Sequence, residues 1–439
     1  MSMDSVAAEL GRRGFFCDAR IVRRDRRWVS SRDGDIEVQR SPDEGIAVRA
    51  FISGSWGFAS GRPEEFGELL GRAEKLARIG EGSAKYPERE GGGEWKGEEA
   101  GGLGGSDLVA LCKECGKRME GEGIRNRQVS FTEIRHEKEY ANSAGGRFWD
   151  SGLLFYASMG CVGRMGGVTQ EGRDRWGSLQ GWDEGAVLGR AGEAARKCTE
   201  NLKAEAAPRG EFAAVFDNEL AGVFVHEAVG HACEGDAIVD GTSILKGKMG
   251  EKIGSGLVSI VDNPALEGGF GSYARDSEGS EGKEVRLIEN GVLRGYLHSG
   301  QSAAELGEER NGHARAEDYA SMPIVRMSNT YMERGESKVE EVLDVRNGLY
   351  LKGMSGGSVD TFTGQFMFRC EQAFEIGNGE LGKALRDVSI TGSVLDTMGK
   401  VEMVGKDFQL GPGFCGKGGQ MANVSDGGPH IRVSSARVG

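Results

Sequence analysis

A chain of 439 residues exceeds one ordinary hydrophobic core, so two domains are expected. Its 68 acidic and 55 basic residues give a formal charge of -13, which argues against a basic nucleic-acid footprint and excludes direct nucleic-acid binding from the expected functions. No apolar run approaches the roughly 20 residues of a membrane helix, and MSMDSVAAELGRRGFF lacks a signal layout, so no membrane role is expected and the eight cysteines should be reduced in a cytoplasm.

In chain order, residues 4–13 have a helical pattern, followed by alternating segments at 15–23, 34–40 and 46–53. The cluster Arg23, Arg24, Arg26 and Arg27, interrupted by Asp25, reads as a solvated strand or turn. A helix is predicted from Pro63 to Ile79, with Phe66, Leu69, Leu70, Ala73 and Leu76 on one face. The Gly/Glu-rich segment 80–106 reads as an exposed loop, either a solvated linker or a flap. Helix returns at 106–119, strands at 124–141 and 146–162, and helix at 184–204. Cys112 and Cys115 form a C-x-x-C pair, but a zinc ribbon needs a second pair, and Cys161 and Cys198 stand alone. Cys112 extends the apolar face of Leu108 and Leu111, so core packing is expected there.

The run AAPRG at 206–210 is the best candidate boundary. It divides an N-terminal α/β domain, 1–208, from a C-terminal domain, 209–439, dominated by antiparallel β-sheet and carrying the motif helix. The fold class expected for the whole is α+β. Many of the 74 glycines lie in the second half, which predicts tight turns and bulges between strands.

The chemical signal is FVHEAVGHACEGD at 224–236, with His226, Glu227 and His231 in the order His-Glu-x-x-x-His. Its flanks are apolar and small, which predicts a buried helix, and buried imidazoles need partners. Residues five apart in a regular α-helix are turned roughly 140° from each other, so the two rings are either metal ligands on a distorted helix or paired core histidines. A widened i→i+5 turn brings them to one face, and Gly230 supplies a backbone that tolerates the distortion. Glu227 then stands beside the ion as general base and acid. Glu234 and Asp236 suit bonds to the imidazole N–H groups, or face solvent at the helix end.

A catalytic zinc usually has three protein ligands and an open position. Cys415, in LGPGFCGKGGQ, is either that third ligand or an ordinary free thiol, with Lys417 placed to favour the thiolate. Cys233 is expected to be a packing residue. His136, His298, His313 and His430 have no ligand spacing, and FGSYARDSEG reads as a turn rather than a serine-nucleophile site.

These motifs together resemble the TldD/PmbA family of metalloproteases, and in particular its TldD-type catalytic branch. The resemblance rests on HEAVGHACEGD at 226–236 and GFCGKGGQ at 413–420. It is supported by LIENGVLRGYL at 287–297, PIVRMSNTYMERG at 323–335, TGQFMF at 363–368 and RDVSITG at 386–392. It implies zinc held by His226, His231 and Cys415, Glu227 as the catalytic base, and hydrolysis of small or unfolded peptides bound as an added β-strand. It also implies a homodimer, or a heterodimer with a PmbA-type subunit. The rival expectation is a regulatory or adaptor protein with a structural zinc, which needs a fourth ligand such as Glu234.

Overall fold

The computed structural model describes residues 2–86, 93–101 and 106–439. The N-terminal half consists of α1 (Met3–Leu10), β1 (Phe16–Arg32), β2 (Asp35–Ile52), β3 (Ser55–Gly61), α2 (Phe66–Ile79), β4 (Gly93–Lys96), α3 (Leu108–Arg118), β5 (Ile124–Asn142), β6 (Gly146–Met165), β7 (Val168–Ser178) and α4 (Glu184–Lys203). The strands form one sheet in the order β3-β2-β1-β5-β6-β4, with β7 also paired to β6. Every pairing is antiparallel except β4 with β6. The apolar faces of the helices meet the sheet in two cores. Leu69, Leu70 and Ala73 of α2 pack with Ile21 and Val48, whereas Cys112, Cys115 and Ala191 pack with Val129 and Cys161.

The predicted helices appear within a few residues of their expected bounds, but the first strands differ. Segments 15–23, 34–40 and 46–53 are parts of one long hairpin, β1–β2, which runs straight through the arginine cluster. Cross-strand charge pairing explains the continuity: Arg23 binds Glu44 and Glu139, and Arg40 binds Asp25. The strand β7 was not expected, because TQEGRDRWGS lacks an apolar alternation. The described part of segment 80–106 is not simply an exposed loop. Tyr86 is buried among Phe16, Phe51 and Trp56, and Gly93–Lys96 pairs with β6; residues 87–92 and 102–105 lie outside the described residues.

The C-terminal half holds two larger sheets around a core that runs from Ala214 to Val438. One sheet places the strands Ile260–Asp262, Asn329–Met332, Gln420–Gly428 and Gln409–Lys417 side by side, with Gln409–Lys417 outermost. The other includes Gly210–Phe216, Asn347–Asp360, Gln365–Gly377 and Ile431–Val438. Between them lies the buried helix α5 (Asn218–Val225), capped by the Asp217 carboxylate on the Leu220 N–H. It touches the strand Gln420–Gly428 backbone to backbone: a Cβ on Gly222 would stand 2.4 Å from the Gly427 Cα.

The two halves are tied by buried charge. Arg49 of β2 binds Asp18 of β1 at 3.0 Å and Glu278 of the C-terminal half at 2.8 Å, all nearly inaccessible to solvent. Trp56 donates across the same junction to Gln301 at 3.0 Å.

Candidate metal centre

The α5 helix leaves α-geometry where the histidines begin. Residues His226–Gly230 form a single π-helical turn, closed by the His231 N–H on the His226 carbonyl, followed by a 3-10 turn over His231–Cys233. This is the widened turn that the five-residue spacing requires, and it brings the two imidazole centroids to 5.3 Å. The role of Gly230 differs from expectation. Its dihedrals, φ -55 and ψ -54, are helical and open to any residue. What demands glycine is space, because a Cβ there would lie 1.9 Å from the Met327 Sδ.

Cys415 arrives from the strand Gln409–Lys417, which pairs with Gln420–Gly428. Its Sγ stands 3.3 Å from the His231 Nε2. One ligand atom each from His226, His231 and Cys415 lies within 4.8 Å of the others, and all three residues are largely removed from solvent. Glu227 is on the same turn, with its Oε2 3.9 Å from the His231 Nε2 and its side chain about a third exposed. It flanks the cluster rather than joining it.

The surrounding charges support these positions. Glu234, 2% exposed, lies 3.1 Å from the His231 Nδ1 and orients the ring so that Nε2 faces Cys415. Lys417 bonds to Glu234 at 3.0 Å, to both Asp236 oxygens at 2.8 Å and to the Val325 carbonyl at 3.0 Å. Two expectations change here. Asp236 binds Lys417 rather than an imidazole, and Lys417 is taken up by carboxylates rather than by the thiol. Burial opposes ionisation of Cys415, but hydrogen bonds and charge from His226 and His231 outweigh it and bring the thiol down to about 5. Burial likewise opposes a charged His231, yet Glu234 and Cys415 push its pKa well above the usual histidine value. Burial also works against the Glu234 carboxylate, which His231 and Lys417 nevertheless hold below the ordinary range.

The donor set passes a simple test of fit. One soft thiolate and two imidazoles suit a borderline divalent ion, whose tetrahedral ligands stand roughly 3.5 Å apart. The 3.3 Å contact is close to that separation. Moreover, the His226 Nδ1 is buried without a hydrogen-bond partner, an unfavourable arrangement for an imidazole that binds nothing.

The remaining histidines have structural partners or lie elsewhere. His313 is fully buried between Asp262 and Asn311 at 2.9 Å each, His298 meets Ser302, and His430 bridges Asp407 and Tyr350. His136 faces a cavity between the two halves. Cys233 packs in the core, and 270–279 is turn and bridge. Sequence reading missed Arg326, which donates to the Cys415 carbonyl, and Met327, which sets the space at Gly230. Neither carries a spacing signal, since both meet the motif only through tertiary packing.

Comparison with known proteins agrees with this arrangement of helix and sheet. The models of the PmbA/TldA metallopeptidase domain 1, central domain and C-terminal domain match residues 17–77, 99–203 and 209–439. The chain belongs to the PmbA/TldD family of metallopeptidases. A metalloprotease of Methanocaldococcus jannaschii is 37% identical over 440 residues, covering 96% of each chain. A zinc metalloprotease TldD homolog of Saccharolobus solfataricus is 32% identical over 323 residues, covering 72% of each. In fold, the chain is similar to TldE from Thermococcus kodakarensis, with a TM-score of 0.80 at 20% identity over 99% of both chains.

Proposed function

We propose that this chain is a TldD-type zinc peptidase that hydrolyses bonds in small or unfolded peptides, with His226, His231 and Cys415 holding the ion and Glu227 as the catalytic base. The observation that carries the reading is the convergence of three donor atoms within 4.8 Å, one from a π-turn, one from the residue that closes it and one from a distant strand. When bound, zinc supplies Lewis acidity toward the scissile carbonyl and lowers the pKa of a coordinated water.

The chain's own groups do the rest. Glu227, beside the cluster and partly open to solvent, accepts the proton of the attacking water and returns it to the departing amine. Glu234 fixes the His231 ring, and Lys417 fixes Glu234. The strand Gln409–Lys417 is the outermost of its sheet, so its free edge offers main-chain donors and acceptors to an extended peptide next to Cys415. Domain 209–439 carries the chemistry in this reading, and domain 1–208 forms the substrate chamber and dimer contacts. The partner is a second copy or a PmbA-type subunit, a pairing favoured by the fold shared with TldE. The compartment is cytoplasmic; among the described residues no helix is long and apolar enough to cross a membrane.

The structural-zinc reading needs a closed fourth position. Glu234, its one candidate, is engaged by His231 and Lys417 instead. Glu227→Gln separates the readings: zinc content should stay at the wild-type level while hydrolysis of a peptide library falls about 10²–10⁴-fold. Unchanged hydrolysis would remove Glu227 from its assigned role.

A further inference from the structure

A cavity of about 320 Å³ lies between the β5–β6 face and the C-terminal half. On β5, Ile134, His136 and Lys138 alternate onto the face that lines it. Opposite them stand Arg315, Arg326 and Phe414, the last adjacent to Cys415 on its strand.

The charge in this space is one-sided: six lining residues are Arg or Lys and three are Asp or Glu. The carboxylates compensate little. Asp276 accepts from the backbone N–H groups of Glu278, Ser280 and Ala314, and burial, reinforced by Glu278, raises it to about 7. Glu317 accepts from the Met421 N–H; Asp150, opposite Lys138 across the β5–β6 pair, attracts its charge but stands beyond ion-pair distance. The arginines nearest the metal loop meet only neutral groups. Arg315 donates to the carbonyls of Met327 and Asn423 and to the Asn423 amide oxygen. Arg326, 1% exposed, donates to the carbonyls of Gln420 and Cys415, and its Nε has no partner. Lys138 makes no hydrogen bond or ion pair among the described residues; burial brings its pKa down to about 8, with Arg315, Arg20 and Arg24 adding to the effect against Asp150.

Cations enclosed with neutral partners are unfavourable until an anion joins them, and guanidinium forks suit planar or tetrahedral oxyanions. The volume matches a ligand of small-metabolite size. We infer that this cavity is a binding site for a small organic oxyanion, a carboxylate or a phosphate, held between Lys138 and the Arg315–Arg326 pair. The site borders the proposed metal centre through Arg326, which donates to the Cys415 carbonyl, whereas Lys138 touches none of the proposed metal ligands and so probes the oxyanion alone.

Isothermal titration of the full, metal-loaded chain with succinate, and separately with inorganic phosphate, tests the site. The expected result is saturable binding of at least one probe, weakened about tenfold or more in Lys138→Met at unchanged metal content. Tighter binding of succinate assigns the site to carboxylates, and tighter binding of phosphate assigns it to phosphate-bearing ligands. A second readout is the melting temperature, which the bound probe should raise in the wild type but not in Lys138→Met. Saturable binding of neither probe, or equal binding and equal thermal shifts in wild type and variant, would overturn the inference.

Discussion

Gly230 and Met327 show how one atom of space can decide whether the proposed ligand set forms. An alanine at 230 keeps the backbone conformation but drives its Cβ into the Met327 thioether. Gly230→Ala should therefore lower stability by about 1–3 kcal/mol and reduce the metal bound after dialysis. The double variant Gly230→Ala/Met327→Ala should recover metal content, because the obstruction is gone; failure to recover it would mean that the turn itself needs glycine. At Cys415 the expectation concerns chemistry rather than shape. Cys415→Ser replaces a thiolate held near 5 with a hydroxyl that does not ionise, so zinc occupancy after dialysis should fall well below wild type. Equal occupancy would remove the strand Gln409–Lys417 from the first coordination sphere.

At the scale of elements, the motif turn and the cysteine strand are joined by Lys417, whose ammonium reaches Glu234 and Asp236 beyond the turn. Lys417→Met leaves Glu234 buried beside His231 without its cation. Stability should fall by roughly 1–3 kcal/mol, and zinc should dissociate faster in a chelator-competition assay. Much of this element was legible beforehand, and for a physical reason. A five-residue interval between buried histidines conflicts with a regular helix, so the interval itself announces the π-turn. The reason for Gly230 was not legible, because Met327 reaches it only after the sheet has formed. The same holds for β1 and β2: their middle residues lack apolar alternation, and the charge pairs that keep them extended lie across the sheet. Asp236 and Lys417 were both noted as neighbours of the chemistry, yet their pairing depends on the helix Gly235–Asp240 meeting the strand Gln409–Lys417 and has no local signature.

For the whole molecule, the Arg49 cluster governs how firmly the two halves adhere. Arg49→Met leaves Asp18 and Glu278 buried without their shared cation, which should cost about 3–5 kcal/mol and separate one cooperative thermal transition into two. A single unshifted transition would show that apolar contacts alone hold the junction. Beside this cluster, Asp276 gives the junction a pH dependence. Its pKa is raised to about 7 in the folded chain, first by burial and then by Glu278, against 3.8 in an ordinary setting. The folded state therefore holds an extra proton between about 4 and 7. The contribution of Asp276 is complete below that window, declines as pH rises through it and is lost above about 7. Asp276→Asn should flatten the corresponding slope in melting temperature against pH.

The parting of His226 and His231 from Cys415 along the chain has a consequence for biogenesis. While the polypeptide is being made, the histidine turn emerges from the ribosome long before the strand that supplies the thiol. Until that strand has been translated and has docked, the nascent segment offers an ion only two imidazoles. Such a fragment is a weak chelator and an incompetent hydrolase. Under the proposed assignment, late arrival of the cysteine acts as a timer, which withholds proteolytic power while the chain's own unfolded segments are still within reach.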